Sequence, residues 1–175
     1  MNFLRPLLEQ QNKNITMERI DTHKVMEAKT DTVPVYQALI NEIMCELNVR
    51  QQTHGLCHPC LAESLNSMAL VHLHMLHNPE KALQYHSEAF TILLCAYKNG
   101  TENGSMEQHD REHLSKSLAV TYSDIGNVKW ALRDFKNAEK AYKQSLELFR
   151  TENLPELHPA RYSVRHRLKI LGQME

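Results

Sequence analysis

Residues 124–149 read DIGNVKWALRDFKNAEKAYKQSLELF, and the spacing of their small and apolar side chains decides the fold. Upstream of the turn RDFKNA, Leu114, Leu118, Ile125 and Leu132 recur at helical intervals. Downstream, Phe135, Ala138, Tyr142, Ser145 and Phe149 do the same. Two amphipathic helices are implied. Gly126 and Ala138 remove bulk where the helices face one another, so their backbones can approach closely while the aromatics fill the space beside them. Such a pair cannot bury its own apolar face and must stack on neighbours.

A second pair lies upstream, in HPCLAESLNSMALVHLHMLHNPEKALQYHSEAFTILL (58–94). Its first helix carries Leu61, Leu65, Met68, Ala69 and Leu76. Its second opens with Asn78 as N-cap and Pro79 in the first turn, and carries Ala82, Leu83, Ala89, Phe90, Leu93 and Leu94. VYQALINEIMCELNVRQQ reads as a further helix leading into His58-Pro59, and LHPARYSVRHRLKIL repeats the His-Pro opening near the end.

These residues resemble the tetratricopeptide repeat family: Tyr122, Ile125 and Gly126, followed by Ala138, Tyr142 and Ser145, stand at the family's spacing. Tyr122 replaces the family's Trp, and Lys129 its Tyr. His58-Pro59 followed by Ser64-Leu65-Asn66 resembles the longer variant found in kinesin light chains, although the glycine before the second helix is missing and the turn HMLHN is one residue longer. The expected fold is all-α, with antiparallel helix-turn-helix repeats stacked as a short superhelix. Expected boundaries are an N-terminal tail at 1–14 and a repeat domain over 15–175. Within that domain we expect a weak pair at about 15–52, a pair at 58–97, a mobile loop at 97–110, a pair at 112–150 and a terminal helix at 158–172.

The composition fits that class. The chain has 175 residues, 42% hydrophobic and 23% charged, as expected of one globular domain with a modest core. Lys plus Arg (20) balances Asp plus Glu (21), so no net field draws nucleic acid or an anionic membrane. Five glycines and six prolines supply few of the tight turns a β-sandwich needs. The N-terminus lacks the apolar run of a signal peptide and no stretch is long enough to span a membrane, so a cytoplasmic protein is expected. Cys45, Cys57, Cys60 and Cys95 are then reduced thiols, and the sequons at Asn14, Asn99 and Asn103 go unused.

Three constellations carry residue types that could serve chemistry. HDREH (109–113) fits a His-x-x-Glu-His zinc pattern and gives the alternative of a metal-dependent hydrolase using His109, Glu112 and His113; the plainer reading is a polar first turn of a helix. HGLCHPC (54–60) offers His54, Cys57, His58 and Cys60, although His58-Pro59 is also the repeat opening. His72, His74 and His77 are spaced so that they do not share one helical face. No cofactor is implied, and neither a phosphate loop nor a nucleophile elbow is present.

Function is therefore expected at a groove. The resemblance implies that the first helices of successive units line a concave surface that holds a partner peptide or protein. Asn66, Leu70, Leu73 and His74 should face it from one unit, and Ser123, Asn127 and Trp130 from the next, with core between helices as the alternative for Trp130. His166 occupies the corresponding place in the last helix. Asn66 matches the first Asn of a kinesin-light-chain Asn pair, residues that in the family hydrogen-bond the cargo's main chain. Asn127 is similarly placed, and a carboxamide offers both donor and acceptor. The unpaired last helix raises one further possibility, self-association through the terminal helices.

Overall fold

The computed structural model describes residues 22–55, 58–102, 104, 106–151 and 158–172. Among them the regular structure is entirely helical: α1 (Thr22–His54), α2 (Pro59–His74), α3 (Pro79–Glu102), α4 (Gln108–Ala131), α5 (Phe135–Thr151) and α6 (Pro159–Leu171). The chain divides into two compact units, Met1–Gln37 and Ala38–Glu175. The described part of the first unit is the opening stretch of α1. The second holds the remainder of α1 and all the other helices. The expected tail (1–14) and the beginning of the weak pair (15–21) lie outside the described residues.

Within the second unit the helices pack in chain order, α2 on α3, α3 on α4, α4 on α5 and α5 on α6. The all-α helical-repeat architecture expected from the spacing is the one observed. α2 also touches α4, and α4 touches α6, so the first helices of successive pairs are neighbours. Ala62 and Leu65 of α2, Ala89 and Leu93 of α3, and Leu114 and Leu118 of α4 form one buried cluster. Ala138, Tyr142, Val164 and Leu171 form another across α5 and α6. Ala69, Ala82 and Val128, each fully buried, mark where α2, α3 and α4 come closest. Ile43 of α1 is buried against Met68 and Val71 of α2.

Both hairpin turns close in the same way. His77 (φ 50°) and Arg133 (φ 61°) take the left-handed conformation before α3 and α5, the position at which glycine costs least. The next residue then caps the second helix: Asn78 Oδ1 accepts from Lys81 N at 2.9 Å, and Asp134 Oδ1 from Asn137 N at 3.3 Å. The glycine missing from the first turn is thus replaced by a histidine held in a glycine-like conformation. The two His-Pro openings are caps as well. His58 Nδ1 accepts from Cys60 N and His158 Nδ1 from Ala160 N, each at 3.3 Å, with the proline that follows in the first turn.

Two expected boundaries are corrected. The weak pair at 15–52 is, over its described part, a single helix of 33 residues, α1. Gly55 (φ 82°) ends the helix, its N–H bonding Gln51 O at 2.9 Å. The mobile loop at 97–110 is helical over 97–102 and again over 108–110. Tyr97 is half-buried against the α2–α3–α4 cluster, Thr101 Oγ1 donates to Tyr97 O at 2.9 Å, and Met106 lies over Gly100 where a side chain would stand. Those contacts extend α3 past its Asn-Gly pair.

Candidate functional site

The two asparagines nominated as peptide readers already hold buried groups of the protein. Asn66 on α2 accepts at Oδ1 from His86 Nδ1 of α3 (2.8 Å) and donates from Nδ2 to Thr121 Oγ1 of α4 (3.0 Å). His86 and Thr121 are both fully buried. Asn127 on α4 accepts the Tyr142 hydroxyl of α5 at 2.9 Å and hydrogen-bonds the Asp124 carboxyl. In each pair of helices, then, a buried polar ring on the second helix is held by an asparagine on the first. These amides tie helices together, because a buried imidazole or phenol needs a partner and the adjoining first helix supplies it.

The other nominated residues are dispersed. Ser123 is 4% exposed and so lies within the packing rather than on a groove wall. Trp130 meets Phe135 edge-on at 5.4 Å and carries the Arg167 guanidinium 5.0 Å above its ring, which places it among α4, α5 and α6, as the core alternative expects. Leu73 is half-buried against Ala69, Ala82 and Val128. Leu70 is half-buried, whereas His74 and His166 are exposed on α2 and α6.

A pocket of about 720 Å3 opens instead between the N-terminal halves of α2 and α4, with α3 as its floor. Ala62, Leu93, Ala96, Leu114 and Val120 make its apolar lining. Glu63, Asp110 and Lys116 bring charge of both signs, and Asn66 is the one nominated residue that reaches it. The space exists because Ala62, Ala96, Gly100 and Ser117 are small where these helices face one another. That run of small residues was the available sequence signal, and it is visible only once the helices are paired.

No family model matches the chain, and no curated protein matches its sequence. What the site does must therefore be argued from its own residues.

Among the described residues the HDREH motif is not gathered into a metal-ligand set. His109 and Glu112 are exposed, Glu112 accepts from Gln108 Nε2 at 2.9 Å, and His113 lines the pocket while its carbonyl accepts the Ser117 hydroxyl. Among the described residues no three His, Cys, Asp or Glu side chains are grouped to hold a metal ion. Cys57 of HGLCHPC lies outside the described residues. Among those described, no helix is long and apolar enough to cross a membrane.

The buried polar groups make stability depend on pH in two opposing ways. Burial, with His74 nearby, holds His86 down to about 4. His72 and His158 are lowered too, in each case first by burial, with Lys81 and Lys116 respectively adding to it. Unfolded histidines take up protons near 6.5 that these folded ones refuse, so stability falls as pH drops from about 6.5 toward 4. Asp124 works against this. Burial pushes its half-buried carboxyl up to about 7, so its contribution is full at acid pH and is lost as pH rises through neutrality. Asp124→Asn, which removes the opposing contribution, is expected to lose thermal stability more steeply than the parent between pH 7 and 5. Equal slopes in melts across that range would contradict the assignment.

Proposed function

We propose that the chain is a non-enzymatic, tetratricopeptide-like interaction module that seats a segment of a partner protein in the pocket between α2 and α4. The observation that carries this reading is the pocket itself, an open space of about 720 Å3 walled by the first helices of successive pairs. The shared hairpin closure at His77 and Arg133, and the small-residue contacts at Ala69 and Gly126, support the family resemblance. The lining matches a peptide with one large apolar side chain as anchor and polar flanks of mixed charge. No cofactor takes part. Free thiols at Cys45, Cys60 and Cys95 accord with a cytoplasmic protein.

Selection from a random-peptide display library on the full chain tests this. Sequences with a single bulky apolar anchor are expected to be enriched. Ser117→Trp, which fills the pocket from α4, should weaken the recovered peptides by about tenfold or more, a loss of about 1.4 kcal/mol, without altering the melt. Undiminished binding to Ser117→Trp would place the site elsewhere.

A further inference from the structure

At the mouth of the same pocket a thiol and an imidazole are in contact. Cys60 Sγ lies 2.9 Å from His58 Nδ1, the atom that also accepts the Cys60 N–H. Accepting that N–H requires a lone pair on Nδ1, so the neutral ring carries its proton on Nε2 and the thiol is the donor in the S–H···Nδ1 contact. The pair is held from outside. The His54 ring stacks on His58 at 4.5 Å between centroids, and Arg50 Nη1 donates to Cys60 O at 2.6 Å and to Glu63 Oε2 at 3.1 Å. Independently of these contacts, both side chains open onto the apolar-lined pocket, which offers a seat for an incoming molecule. Cys45, by contrast, is exposed on α1, and Cys95 meets Asn99 Nδ2 at 3.5 Å.

We propose that Cys60 is a covalent modification site for soft, apolar electrophiles of the α,β-unsaturated carbonyl class, with His58 as the proton acceptor. The electrophile seats its apolar body against Ala62, Ala96 and Leu114 and presents its β-carbon to Sγ. The thiol proton passes to His58 Nδ1 as a sulfur electron pair forms the S–C bond. The π pair of the alkene moves onto the α-carbon as the enolate, which takes the proton back from His58. Nothing leaves and nothing is oxidised. The inference goes beyond peptide binding and does not depend on it, since it needs only the pocket and the pair.

The test uses the full chain carrying Cys57→Ser, treated in parallel with limiting N-phenylmaleimide or iodoacetamide and read site by site by mass spectrometry. N-phenylmaleimide is expected to label Cys60 about tenfold faster than exposed Cys45, short of the roughly hundredfold at which enzymatic general-base catalysis begins. His58→Asn keeps a capping side chain but removes the imidazole, and should slow Cys60 about fivefold while leaving Cys45 unchanged. Ser117→Trp leaves the pair intact and should slow N-phenylmaleimide at Cys60 but not the small iodoacetamide. A Cys60 rate no greater than that of Cys45, or one indifferent to His58→Asn, overturns the proposal. So does a Ser117→Trp effect that is the same for both reagents.

Discussion

Gly126→Leu is expected to lower the thermal midpoint by roughly 5–12 °C, because there is no room for a side chain where α4 meets α5. A Cβ at this position would stand 2.5 Å from Tyr142 Cε1 and 2.6 Å from Cδ1, and the Tyr142 ring is fully buried. The ring cannot swing aside without giving up the hydrogen bond from its hydroxyl to Asn127, and burial has already pushed that phenol up to about 12. Overpacking of this kind costs about 1–3 kcal/mol or more. Gly126→Ala should show a smaller loss in the same direction. A leucine variant that melts with the parent would mean that the two helices do not approach at Gly126.

Asn66→Ala is expected to cost about 2–6 kcal/mol, one to three for each of the two buried groups left without a partner. His86 would lose the acceptor for Nδ1, and its Nε2 already has no partner, while Thr121 would lose the donor to its hydroxyl. Urea unfolding should show a lower midpoint with an unchanged slope. Asn66→Leu combined with His86→Leu should recover part of the loss, since removing both members of a buried pair costs less than orphaning one. If Asn66→Ala unfolds like the parent yet fails to hold a selected peptide, the amide is a reader after all.

The contrast between these two residues shows what could be read from the sequence. Gly126, Ala138 and Tyr142 lie within one pair at fixed spacing, so periodicity was enough to predict their close approach. Asn66 finds its partners 20 and 55 residues away, on α3 and α4, and no local pattern announces a bond of that kind. The same limit explains Ser123 and Trp130: helical spacing gives a face, but whether that face meets solvent depends on the helix that follows, and for Trp130 this includes Arg167 of α6. The loop expected at 97–110 failed for a different reason. Its Asn-Gly pairs are good turn signals, but Tyr97 and Met106 bury apolar surface that repays extending α3 through the first of them. The pocket was illegible because it consists of what is small, at Ala62, Ala96 and Ser117, and small residues carry no chemical signature of their own.

The proposed function requires a partner segment to be held between α2 and α4 rather than along the face carrying Asn127 and Trp130. Backbone amide nuclear magnetic resonance of the full chain, titrated with a peptide recovered from the display selection, tests this directly. The largest shifts are expected at Ala62, Ala96 and Ser117, with Asn127 and Trp130 nearly unmoved. Largest shifts at Asn127 and Trp130, with the pocket amides unchanged, would contradict it.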